Sequence, residues 1–246
     1  MCASNGPSNS RSATSAIIMD SRLLTLLQLC DSNFPSGAFS HSFGLETYIA
    51  EERVRDMDTF AQWLRAYLVR QLAYTDGLAC RLVFEALQEE RLDRVWAMDR
   101  LLAVQNFPRE ARDGSRRMGE RMVRLGCDVF AVPLAKVYLE RIAARESFGH
   151  SAVAFPIIAR AWGISLDAAL PAYLYACIGS LVQNGVRAIP LGQTDGQRLL
   201  AQLHGAIAQA ARTCKQLDLE DFGAVSPGLE IAQMRHERLH VRLFMS

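Results

Sequence analysis

The residues best placed to do chemistry lie near the end of the chain. There His236-Glu237-Arg238-Leu239-His240 matches the pattern HExxH. On a helix, two histidines four residues apart share a face and can bind one zinc ion, with the glutamate as general base for hydrolysis. The pattern is short and recurs by chance. Its usual third ligand would lie downstream, where only six residues remain. A protease also needs a cleft wall to hold an extended substrate. A metal-dependent hydrolase built on His236, Glu237 and His240 is therefore the alternative reading. The plainer one is a polar face of a terminal helix or strand. A weak, transient metal contact through two neutral imidazoles lies between them.

Ser40-His41-Ser42 invites a nucleophile and base, but adjacent residues rarely form such a pair, and there is no GxSxG elbow. No Walker A pattern is present, and no GxGxxG follows a strand. The six cysteines, at 2, 30, 80, 127, 177 and 214, are nowhere closer than 28 residues. That excludes CxxC and zinc-ribbon spacing and suits buried thiols in a reducing compartment. These patterns assign no catalytic residue and no metal ligand, and the expectation is a protein that is not an enzyme and holds no cofactor tightly.

The elements that must position these residues are helical. The chain has 246 residues, 50% apolar and 22% charged, with a net charge of +1. Those values fit a globular domain and argue against intrinsic disorder and a dedicated nucleic-acid binder. All but two of the 27 basic residues are arginine, the exceptions being Lys136 and Lys215. Residues 1–16 lack the apolar core of a secretory signal, and the longest apolar run is 15 residues, short of the roughly 20 of a membrane span. A cytoplasmic protein is expected.

Apolar residues at helical spacing predict helices from Ser21 to Cys30, from Asp58 as a cap to about Tyr74, and over 78–87, 95–104, 109–125, 153–162, 166–184 and 194–215. Convincing alternating strands are absent before residue 216. The expected architecture is an all-α, single-domain bundle of about eight to ten helices. It divides into a flexible N-terminal tail (1–20), a helical domain (21–217) and a C-terminal linker and tail (218–246).

Three stretches suit recognition rather than catalysis. Residues 109–124 carry six arginines against Glu110, Asp113 and Glu120, which is either a solvated face or a docking face for an acidic partner. Residues 34–46 crowd Phe34, Phe39 and Phe43 into a connection that Gly37 and Gly44 allow to turn tightly, either a packed turn or a recognition surface on a rigid scaffold. The last residues are compatible with helix or strand, the mark of a segment that gains its structure from a partner.

Three segments taken together resemble one family. They are Leu26 to Pro35 running into His41 to Glu46, Leu181 to Gln193 with Gly196-Gln197, and Leu229 to Glu237 with Arg242-Leu243-Phe244. Ser115 to Gly119 and Gly149-His150-Ser151 add weaker support. Their joint order is similar to that of the urease accessory protein UreF family, over about Leu23 to Ser246. Gly185, where many relatives carry alanine, and Cys30 are conservative departures; Ser36-Gly37-Ala38 replaces a more glycine-rich turn.

The resemblance implies an all-helical, homodimeric maturation factor that acts in nickel insertion without being an enzyme. It would bind UreD (also called UreH), recruit and regulate the GTPase UreG, and dock with them on apo-urease. Nickel would pass through the complex and GTP would bind to UreG; neither nucleic acid nor membrane is implied as a partner. The candidate partner-binding residues are Phe39, His41, Ser42, Gly44, Glu46, Tyr48, Arg116, Arg117, Arg235, His236, Glu237, Arg242, Leu243 and Phe244. Arg242 matches the family motif and is the leading anchor.

Overall fold

The computed structural model describes residues 21–223 and 226–246, and the expected N-terminal tail lies outside them. The described residues contain helices and no strand. In chain order they are α1 (21–30), a short turn of 3₁₀ helix (Ala38–Ser40), α2 (Leu45–Ala50), α3 (Met57–Ala66), a π-helical segment (Tyr67–Gly77), α4 (Leu78–Gln88), α5 (Leu92–Gln105), α6 (Arg109–Asp128), α7 (Pro133–Ala143), α8 (Ser151–Ala161), α9 (Leu166–Ala188), α10 (Gln193–Gln216) and α11 (Pro227–His236). A single all-α domain results.

The expected helix from Asp58 starts two residues earlier. Asp56 is the cap, its carboxylate accepting from the Thr59 amide (2.9 Å) while the Thr59 hydroxyl accepts in return from the Asp56 amide. It also does not end near Tyr74, because α3, the π segment and α4 form one continuous rod. In π geometry the chain bonds i to i+5, which inserts an extra residue and re-aims the side chains that follow. Thr75 and Asp76 are thereby turned inward. Asp76 accepts from Thr75 (2.9 Å) and from the hydroxyl of Tyr173 (3.3 Å) beside a cavity of ≈ 90 Å³ with a mixed polar and apolar lining. Gly77 stays right-handed; its value is space, since a Cβ there would come within 2.8 Å of Cys214 Sγ.

The core runs between this rod, α8, α9 and α10, filled by Phe60, Leu64, Leu68, Phe84, Phe155, Ile158, Leu170 and Leu174. The end of the Phe60 ring abuts Gly185, where a Cβ would meet Cζ at 2.2 Å. Gly185 is thus required by the neighbouring Phe60. Helix α6 presses on the 149–151 backbone at Gly119, where a Cβ would lie 2.1 Å from the Gly149 carbonyl oxygen. The weakly resembling pair of segments, 115–119 and 149–151, are therefore the two sides of one close backbone contact.

Candidate functional site

The three resembling segments converge on one place. Ser42, Phe43 and Gly44 turn the chain into α2, with Phe43 and Gly44 both at positive φ (51° and 92°). Phe43 tolerates this strained region only because its surroundings hold it. The Gln233 side-chain amide donates to its carbonyl (3.1 Å), and the Ser42 hydroxyl accepts from the Glu46 amide (3.3 Å). From α9, the Asn184 side chain donates to the carbonyls of His41 (2.8 Å) and Ala38 (3.2 Å), and Arg187 donates to that of Phe39 (2.8 Å).

The end of the chain sits in this frame. The amides of Ser42 and Phe43 donate to the Ser246 carbonyl oxygen, and the Met245 amide donates to Ser40 O (2.8 Å). The Ser246 hydroxyl lies 2.8 Å from His41 Nδ1. Phe244 is buried, and the Arg187 guanidinium lies 5.3 Å from the centre of its ring. Glu46 carries the most contacts: one carboxylate oxygen accepts from the Leu243 amide, the other from the Phe244 amide (3.1 Å) and from His236 Nε2 (2.8 Å). His236, 1% exposed, reaches Glu110 through Nδ1 (2.6 Å), and Arg242 reaches the other oxygen of Glu110 (2.7 Å).

Both ring nitrogens of His236 face carboxylate oxygens, so both must donate, and the ring is an imidazolium. Burial alone would lower its pKa; the Glu46 and Glu110 hydrogen bonds and charges outweigh burial and raise it. For Glu46 and Glu110 burial pushes upward, and the bonds to His236 and to the tail pull both below the ordinary value. Two carboxylates against His236 and Arg242 form a balanced, largely buried set of four charges, the arrangement in which such groups can be buried together.

Linkage gives this cluster a pH window. The raised His236 stabilises the fold below its ordinary value of 6.5 and loses that contribution as pH rises through its folded value. The lowered glutamates contribute above their ordinary 4.5 and lose that as pH falls through their folded values. Amide-exchange protection of Leu243 and Phe244, corrected for intrinsic rates, is expected to be greatest between these limits and to fall on both sides. Protection that stays flat from acid to alkaline pH would contradict the pairing.

The tail expected to need a partner for its order has a seat on its own chain. The signal is long-range, since Glu46 and His236 are 190 residues apart, which is why local pattern left helix and strand equally open. The geometry does not favour the hydrolase alternative. α11 ends at His236, so the two histidines do not share a helical face; Glu237 pairs with Arg109 (2.9 Å), and His240 is exposed. Among the described residues no three His, Cys, Asp or Glu side chains are grouped to hold a metal. Nor is His41 a base for a serine neighbour. Its ring contacts Ser246, and burial, followed by Arg117 and Arg121, pushes its pKa down to about 4.

Of the candidate partner-binding residues, His41, Ser42, Gly44, Glu46, His236 and Phe244 are buried at the seat. Phe39, Arg235, Glu237, Arg242 and Leu243 surround it at the surface, and Arg235 pairs with Glu51 (3.2 Å). Tyr48 faces the other side of α2, against Trp63 and under Arg53. Arg116 and Arg117 lie on α6 outside the seat, Arg116 near the Phe148 ring. Glu110 was not singled out by pattern, because nothing in an arginine-rich stretch marks one acid as the partner of a histidine 126 residues away. Asn184 and Arg187 lay inside a resembling segment and carry its structural meaning.

Comparison with known proteins gives the family of the chain. The family model described as UreF matches residues 54–204. The chain is 50% identical over 225 residues to the urease accessory protein UreF of Bacillus sp. (strain TB-90), covering 92% of this chain and 99% of that one. It is 48% identical to the UreF of Lachnoclostridium phytofermentans, covering 93% of this chain and all of that one, and 49% identical to the UreF of Paenarthrobacter aurescens, covering 91% and 97%. With a family-model match through the rod, α6 and α9, and with relatives matched over more than nine-tenths of the chain at about half identity, the chain belongs to the UreF family of urease accessory proteins.

Proposed function

We propose that this chain is a non-enzymatic adaptor in nickel insertion into urease. It binds UreD (UreH), recruits the GTPase UreG, and with them docks on apo-urease in the cytoplasm, itself acting as a homodimer. The observation that carries the reading is the tail seat: a balanced buried charge cluster whose purpose is to hold ten terminal residues in one shape, with Val241, Leu243 and Met245 left outward. A catalytic pocket would aim reactive groups at a void; here they are consumed in positioning a surface.

Regulation of UreG follows from differential binding. A partner that binds two nucleotide states equally shifts nothing, so the complex must favour one. GTP and nickel belong to the assembly, the first as the nucleotide of UreG and the second as cargo.

The test is light scattering after size exclusion, with the chain alone and mixed with UreD and UreG. The intact chain is expected to self-associate and to elute with both partners. Removal of residues 237–246, which leaves the core residues Leu229 and Ala232 in place, is expected to keep the fold and abolish co-elution with UreD. Unchanged recovery of the complex would defeat the reading.

A further inference from the structure

The arginines of α6 divide into those with partners and those without. Arg109 pairs with Glu237 and Arg124 with Glu120 (2.7 Å). Arg112 donates to the carbonyls of Asn106 and Phe107, and Arg116 stands 5.8 Å from the Phe148 ring centre. Glu110 is committed to His236 and Arg242. Arg117 and Arg121 remain, one turn apart, both exposed, with no ion pair among the described residues. Like charges at this spacing repel along a helix, and both also bear on the buried His41. Both guanidinium groups are therefore open to carboxylates brought by another molecule.

This charge borders exposed apolar surface. Arg121 lies across Gly37, where a Cβ would meet its Nη1 at 2.4 Å. The turn that follows presents Phe39, 63% exposed, and meets the tail where the Met245 amide donates a hydrogen bond to the Ser40 carbonyl. Leu243 and Met245 are about half exposed. Two arginines of α6 with no ion pair among the described residues thus border the tail seat, whose segments expose three apolar side chains.

We infer that this surface docks an acidic protein segment bearing an apolar anchor, with carboxylates against Arg117 and Arg121 and the anchor against Phe39, Leu243 and Met245. The inference rests on the adaptor reading and names where one accessory partner lands. A second copy fits poorly, because a two-fold pairing of this patch would bring four arginines into one interface while Phe39, Leu243 and Met245 supply no carboxylate to meet them. A nucleic acid fits poorly too, because two arginines on a chain of net charge +1 neutralise few phosphates.

The test titrates the full chain, R117E/R121E and F39S onto purified UreD and onto a UreD–UreG mixture, at low and physiological salt. Wild-type affinity is expected to weaken as salt rises. R117E/R121E is expected to bind roughly ten- to a hundredfold more weakly, mainly through slower association, and to lose most of the salt dependence. F39S is expected to speed dissociation and leave the salt dependence alone. R117Q/R121Q, which removes charge without reversing it, is expected to show a smaller loss of the same kind, so a misfolded reversal would not rescue the idea. Wild-type binding by both arginine variants overturns the inference and leaves the adaptor reading standing. A wild-type chain that binds neither preparation overturns that reading as well. Loss of self-association alone, or of binding to single-stranded DNA of about 20 nucleotides alone, also overturns the inference by assigning the arginines another occupant.

Discussion

Replacing Glu46 by alanine is expected to unseat the tail and to destabilise the whole domain. The glutamate is 8% exposed and accepts from two backbone amides and a buried imidazolium. Its removal leaves His236 with one carboxylate instead of two and strands the Leu243 and Phe244 amides. Breaking one partner of a buried pair costs about 3–5 kcal/mol, because the remaining charge stays desolvated. The His236 imidazolium has only Glu110 left, so its pKa should drop toward the neutral form. Urea unfolding is expected to show a midpoint shift in that energy range, with exchange protection at 243–244 lost entirely.

Glu46→Gln separates charge from shape. The amide oxygen can still accept a tail amide, while its nitrogen faces the His236 donor, so an intermediate loss is expected. Arg242→Ala, at the cluster's exposed edge, is expected to cost only about 0.5–1 kcal/mol. If Glu46→Ala unfolds at the wild-type urea concentration, the charge cluster does not hold the tail.

The all-α class was legible because buried apolar residues recur at helical spacing along α4, α6, α9 and α10, and no alternation competed. What escaped has identifiable causes. α2 has six residues, too few for any periodicity to register. α7 was unassigned although Pro133 stands at its start, because its buried contribution is narrow: Ala135 and Tyr138 face inward while Val137 is exposed. The π segment changes the bonding step without any residue type that announces it. Gly77 separated two expected helices, whereas the structure uses it inside one rod to admit Cys214 and Leu174.

The site was legible as a set of segments and illegible as an interaction. Residues 41–46, 184–187 and 236–244 were each visible as a pattern, but a sequence does not say that a glutamate in the first is the acceptor for a histidine in the last. The HExxH spacing illustrates the hazard. It presumes that the helix continues to His240, and the chain instead leaves the helix at His236 to place that ring between two acids.

The second large effect is expected at Asp99, far from the tail. This carboxylate is completely buried on α5. One oxygen accepts the Phe148 amide (2.6 Å), and the other accepts the Tyr138 hydroxyl (2.6 Å) and the His150 amide (3.3 Å). Three elements meet through it: α5, α7 and the loop that launches α8. That loop must be held closely, because α6 leaves room for the 149–151 backbone only at Gly119. Asp99→Ala removes the shared acceptor and strands buried donors at about 1–3 kcal/mol each; the His150 amide keeps its 3.0 Å contact to the Tyr138 oxygen. A total loss of about 3–5 kcal/mol is expected on that basis, enough to leave a domain of ordinary stability partly unfolded at physiological temperature. Asp99→Asn keeps one acceptor oxygen but points an amide N–H at a donor, so it should recover only part of the loss. The check is calorimetric unfolding of both variants beside Gly119→Ala, which forces the same loop from the opposite side. Because Gly119 and Asp99 act on one segment, the double variant should lose less than the sum of the two single losses. Strict additivity would mean that Asp99 and Gly119 hold this loop independently, and a wild-type melting profile for Asp99→Ala would remove its role altogether.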